Sequence, residues 1–139
     1  MVRGHVSALL LLAACAPAAE GEGAVEVRIY GEAFIEEGIP AEEFADGWAV
    51  QFDSFLINVG EVTVARAGEP LGLAEPGFQV FDLARPSMGA GQLVASGKVP
   101  AGLQDDVAYV IGPATTAVGR DVPAADLARM KDGGLALYV

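Results

Sequence analysis

WAVQFDSFLINVGEVTV, residues 48–64, decides the fold. Trp48, Val50 and Phe52 alternate with small or polar residues, which is the period-2 pattern of a half-buried strand. Phe55, Ile57 and Val59 continue the alternation in the opposite parity, so a bulge is expected near Asp53-Ser54, and the parity flips again before Val62 and Val64, across Gly60-Glu61. Fully extended, residues 48–64 would measure about 56 Å. A domain of this size is roughly 36 Å across. The segment must therefore turn or bend sharply, and Gly60 is the expected place.

Working outward, Val25, Val27 and Ile29 alternate with Glu26, Arg28 and Tyr30 as an earlier strand. Pro40 to Asp46 reads as a short helix with Pro in its first turn and Gly47 as its stop. Residues 67–77 are rich in Gly and Pro and read as a loop, followed by strands at Phe78–Leu83, Leu93–Val99 and Val107–Gly112. A helix is expected over Pro123 to Lys131, with Leu127 and Met130 on one side, Asp121 before its first turn, Arg129 and Lys131 in its last, and Gly133 just beyond. Leu135–Val139 is another β-like segment with no closing turn, which reads as a strand cut off by truncation at the C-terminus, the natural chain continuing past Val139.

These elements predict a mainly β fold, an antiparallel β-sandwich of about six or seven strands with one or two short helices. The expected core is Val27, Ile29, Trp48, Val50, Phe52, Phe55, Ile57, Val62, Val64, Val80, Phe81, Tyr109 and Ile111. At 139 residues the chain has length for a single domain.

The N-terminus is of another kind. Arg3 precedes an apolar run, Val6–Ala14 (VSALLLLAA), that spans about 14 Å as a helix, against about 30 Å for a bilayer core. It reads as the h-region of an export signal and not as a transmembrane helix. Leu12-Ala13-Ala14-Cys15 ends that run and holds the only cysteine, and L-A-A-C resembles the lipobox of bacterial lipoproteins. The resemblance implies a signal peptide over 1–14, diacylglyceryl transfer to the Cys15 sulfur, cleavage before Cys15 and acylation of the freed amine. Ala16, where Asp tends to mean inner-membrane retention, leans the implied address toward the outer membrane of a Gram-negative envelope. Several acyl chains, at about 0.8 kcal/mol per buried methylene, make such an anchor slow to release. Residues 15–24 would then be the acylated cysteine and a flexible tether, and 25–139 the folded domain.

A looser resemblance, to prealbumin-like β-sandwich domains in bacterial lipoproteins of unknown function, rests on FDSFLINVGEVTVAR (52–66), FQVFDL (78–83) and VPAGLQDDVAYVIGPA (99–114). It implies the sandwich and no activity.

Composition excludes several chemistries. The formal net charge is −11, and the leader carries Arg3 but no acid, so a nucleic-acid partner is not expected. The sole histidine is His5, in the leader, which leaves the remainder without a Ser-His-Asp triad, a Cys-His pair or an ordinary zinc site. No nucleotide-binding glycine motif accompanies a β-α-β pattern, and no cofactor is expected. Glu36, Glu37, Glu42, Glu43 and Asp46 form the densest acidic cluster and could donate oxygens to calcium. The structural alternative is preferred, because acids after Pro40 suit a helix N-terminus and the EF-hand spacing is absent. Asp53 or the Asp105-Asp106 pair could serve a two-carboxylate glycosidase, and Trp48 with Tyr30 or Tyr109 could stack on a sugar, although Trp48 in phase with Val50 and Phe52 favours core packing.

The expectation is a lipid-anchored envelope lipoprotein, a non-catalytic binding or structural module with a protein or glycan ligand and membrane contact through Cys15. The alternatives are an envelope glycan hydrolase, or the scaffold part of a longer protein whose site lies beyond residue 139.

Overall fold

The computed structural model describes residues 20–71, 73 and 77–139, and Cys15 with the signal segment lies outside them. The chain is mainly β and sandwich-like. Its strands are β1 (Glu22–Ile29), β2 (Leu56–Arg66), β3 (Glu69–Leu71), β4 (Gln79–Asp82), β5 (Gln92–Pro100), β6 (Asp106–Ile111), β7 (Val118–Gly119) and β8 (Leu137–Tyr138). Two helices, α1 (Ala33–Glu36) and α2 (Ala124–Asp132), and one 3-10 turn (Ala41–Glu43) complete it. Among the described residues no helix is long and apolar enough to cross a membrane.

The long strand β2 organises the larger sheet. Leu56 lies between Asp82 of β4 and Tyr138 of β8, Val59 between Gln79 of β4 and Ile111 of β6, and Val64 between Leu71 of β3 and Val107 of β6. A residue has one neighbour on each side, so β4 and β3 flank one edge of β2 while β8 and β6 flank the other. β7 adds to β4 in parallel, whereas the other strand pairs among the described residues are antiparallel. β1 and β5 form a separate two-stranded antiparallel sheet.

Alternation along β2 sends its side chains to two cores. Ile57 and Val59 face the small sheet and pack with Val62, Phe81, Leu83, Val94 and Ala95. Leu56 faces the opposite way and packs with Val80, Ala114, Ala117 and Met130 under α2. The result is three layers: two strands, six strands, one helix.

The parity break at Gly60-Glu61 is present as a bulge. β2 shifts register against β6 between Gly60 and Thr63, and Glu61 takes a left-handed φ of 50°. The strand does not turn there, contrary to the expected bend, because one extra residue restores the inward side for Val62 without breaking the ladder. Gly60 is required by its surroundings, since a Cβ on it would sit 2.9 Å from the Phe78 Cα. The length conflict is resolved upstream: residues 48–54 leave the sheet, with an Ile39–Val50 bridge on the way, and the chain rejoins it at Phe55, whose carbonyl accepts the Leu83 N–H at 2.8 Å.

That excursion corrects the expected core. Trp48 is 72% exposed, and Val50 and Phe52 are only half-buried. Tyr109 and Ile111 are also exposed, because among the described residues no second layer covers β6. The remaining expected residues are buried or packed against a core, apart from the half-buried pair.

Smaller differences have local causes. β1 begins at Glu22, ahead of the expected Val25, since pairing with β5 uses backbone that Gly23 and Ala24 supply as well as any residue. The expected helix over Pro40–Asp46 is one 3-10 turn, closed at Gly47 with φ 75°. Within the expected loop 67–77, β3 forms a hairpin with β2 through Ala67-Gly68, both left-handed as a tight hairpin turn requires. The α2 helix runs from Ala124 to Asp132 with Pro123 as its N-cap, one residue past the expected end, and closes at Gly133 with the Gly133 N–H on the Arg129 carbonyl and the Leu135 N–H on that of Met130.

Candidate functional site

The two sheets are unequal in width, and this makes the site. β5 lies over β4, joined by the Gln79 side-chain amide on the Val94 carbonyl at 3.2 Å and that of Gln92 on the Asp82 carbonyl at 2.8 Å. Those bonds fix the small sheet over one half of the large one. Among the described residues no strand lies above the other half, toward β6.

The gap is an apolar cleft of about 290 Å³ between the sheets. Its floor is Ile57, Val59 and Val62 of β2 with Val94 of β5, all buried, and Val27 and Ile29 of β1 form a side. Tyr30, Tyr109 and Ile111 stand at the rim, 58%, 59% and 48% exposed. Strand alternation aims Val27 and Ile29, Ile57 and Val59, and Tyr109 and Ile111 there, the bulge that precedes it aims Val62, and Tyr30 follows directly on the end of β1. Binding sites of small or extended ligands are commonly concave and mostly apolar, and this cleft lies at the small end of that range.

Arg28 also borders the cleft, but its guanidinium is held outside, 2.9 Å from Glu26 and 3.1 Å from the Gly91 carbonyl. Among the described residues no carboxylate lines the cleft. Its chemistry is therefore apolar contact, aromatic stacking and the phenol hydroxyls of two tyrosines.

The acidic residues singled out from sequence lie elsewhere. Glu36, Glu37 and Asp53 border a polar hollow of about 160 Å³ beside α1. There the Ser87 hydroxyl, and then its backbone N–H at 2.9 Å, hold the Glu36 carboxyl below the usual carboxylate range. Glu42 and Glu43 are exposed on the 3-10 turn, and Asp46 accepts the Trp48 N–H at 3.3 Å. Among the described residues no three His, Cys, Asp or Glu gather as a metal site. Asp105 spends both oxygens on the Ala67 N–H at 3.0 Å, pinning the left-handed hairpin turn, while Asp106 opens β6 and is exposed.

Of the three candidate stacking residues, Tyr30 and Tyr109 meet at one rim, and Trp48 does not join them. The cleft itself was not visible in the sequence; the alternation marks Tyr109 and Ile111 as inward-facing but carries no signal of what lies above them. Phe34, Ile39 and Val50 border a further hollow of about 300 Å³ next to α1. Comparison with protein-family models, with characterised proteins and with solved structures returned no match.

Proposed function

We propose that the chain is a bacterial envelope lipoprotein, lipid-anchored through Cys15, whose folded part is a non-catalytic binding module with the cleft between β1 and β6 as its ligand site. The anchor is supported by the sequence alone, through Leu12-Ala13-Ala14-Cys15 at the end of an apolar run. The single observation that carries the binding reading is the cleft: a buried apolar floor joined to an exposed rim of Tyr30, Tyr109 and Ile111. A fold with no use for that opening would gain by covering it.

The hydrolase reading receives less support. It needs two carboxylates facing one cleft, whereas Asp105 holds the Ala67 N–H with both oxygens, Asp106 is exposed at the start of β6, and Asp53 borders a different hollow.

Two measurements test the proposal. Intact mass of membrane-extracted protein should show a chain that begins at an acylated Cys15; a chain beginning later, or a free thiol, overturns the anchor. Titration with an environment-sensitive apolar dye should show saturable binding that Ile111→Glu removes and Trp48→Ala leaves; loss in neither, or in both equally, overturns the cleft.

A further inference from the structure

The rim of the cleft coincides with an unpaired strand edge. The Gly112 N–H bonds the Asn58 carbonyl at 3.3 Å, so Gly112 turns its backbone toward β2. Along an antiparallel ladder alternate residues turn both backbone groups to the same partner. Val110 and Ala108, opposite Gly60 and Thr63, therefore also face β2, and Val107, Tyr109 and Ile111 present their N–H and C=O groups to the other side. Among the described residues no strand pairs with that side.

Proteins usually protect such an edge with Lys, Pro, a bulge or an inward charge. From Val107 to Ile111 β6 reads VAYVI and has none of these, and its pairing with β2 places the bulge on the β2 side. Both of its faces are exposed. Tyr109 and Ile111 line the cleft, and in a neighbouring strand the residues directly opposite them would share their face. An added strand would thus direct every second side chain between the sheets, over Val59 and Val62.

We propose that β6 takes an extended polypeptide segment of a partner protein as an added strand, with apolar side chains at alternate positions entering the cleft and basic residues at the flanks. This rests on the binding-module reading above and names its ligand class. A peptide backbone is the ligand that offers donors and acceptors at strand spacing to the Val107, Tyr109 and Ile111 groups while filling an apolar cleft with alternate side chains. Charge selects the flanks: the chain carries a net −11, and Asp106 opens the edge. Like charge counts against a second copy as the partner.

The test uses the full chain in detergent and a synthetic peptide with valine at alternate positions, threonine between them and lysine at both ends. Two further peptides carry N-methyl groups, one on the valine amides and one on the threonine amides. One methylated peptide should lose at least about tenfold in affinity, for two or more backbone hydrogen bonds, and the other should bind within about twofold of the parent. Val107→Pro, which removes an outward N–H and leaves the β2 ladder intact, should weaken the parent peptide similarly without a change in melting temperature. Equal affinity for both methylated peptides, or no peptide binding, overturns the added strand. If the apolar dye still binds in that case, the cleft reading stands; if neither binds, both fall. Light scattering that shows a dimer of this chain, dissolved by Val107→Pro, would overturn the choice of partner.

Discussion

The two faces of the six-stranded sheet are finished differently. On the back, α2 lays Met130 and Leu127 over Leu56 and Val80, Ala114 and Ala117 close the remaining space, and Met130 is fully buried. Arg129 then ties the helix to β8, stacking 5.0 Å from the Tyr138 ring centroid and bonding its hydroxyl. On the front, a sheet of only two strands covers β4 and stops short of β6, leaving Tyr109 and Ile111 in solvent over a buried floor. A closed face answers to stability alone. The open face carries apolar surface that contributes little to the fold and is available to a ligand, so stability and binding should separate by face.

The sharpest separation should come from Met130→Ala. Removing a fully buried side chain from the back should cost about 2–5 kcal/mol, seen as a lower urea midpoint, while dye affinity of the folded protein is unchanged. A Met130→Ala protein as stable as the parent would mean that the back is not a packed core.

Gly60→Ala lies between the faces. Its new Cβ would meet Phe78 backbone at 2.9 Å, and overpacking of this kind costs about 1–3 kcal/mol. The bulge that aims Val62 into the cleft should be disturbed as well, so urea midpoint and dye affinity should fall together. A drop in stability alone would show that the bulge is not what shapes the floor.

Tyr109→Ala inverts the Met130 result. As an exposed rim residue it should change stability by no more than about 0.5 kcal/mol and weaken ligand binding clearly. A large loss of stability would place Tyr109 in the core after all.

These contrasts also mark what was legible in the sequence. Strands β2, β4, β5 and β6 and helix α2 were readable because each is long enough for its period, or its end signals, to show. The parity flip at Gly60-Glu61 was readable too, since inward Val59 and Val62 are separated by an odd step. Trp48 was misplaced because alternation identifies a face without saying whether anything covers it, and residues 48–54 leave the sheet. The same limit applies to Tyr109 and Ile111, and here it hid the site: the cleft depends on the narrowness of the β1–β5 sheet, which no local pattern encodes. β3 and β7 are too short to have a period. Asn58 and Gln79 are buried polar residues whose role comes from distant partners, the carbonyls of Gly112 at 2.8 Å and Val94 at 3.2 Å. The address at Cys15 is the reverse case, a proposal legible in sequence with no counterpart in the described residues.

The smallest expected effect is electrostatic and belongs to neither face. Hydrogen bonds from Ser87 lower the Glu36 pKa below its ordinary 4.5, so the ionised form is favoured by folding. That contribution is present in full above the ordinary value and is lost as pH falls through the lowered folded value. Glu36→Gln should therefore be slightly less stable than the parent near neutral pH, and the difference should shrink on acidification. A difference that grows toward low pH would contradict the Ser87 assignment.

The most direct test compares two exposed apolar residues at opposite edges of the same sheet, Ile111 on β6 and Val118 on β7, 48% and 58% exposed. Each is replaced by Glu, and apolar-dye affinity is measured beside the parent. An unpaired carboxylate costs heavily only where it borders an apolar binding site, so Ile111→Glu should weaken binding at least about tenfold, about 1.4 kcal/mol, and Val118→Glu should leave it unchanged. Equal losses, or no loss in either, would contradict the claim that the cleft between β1 and β6 is the ligand site.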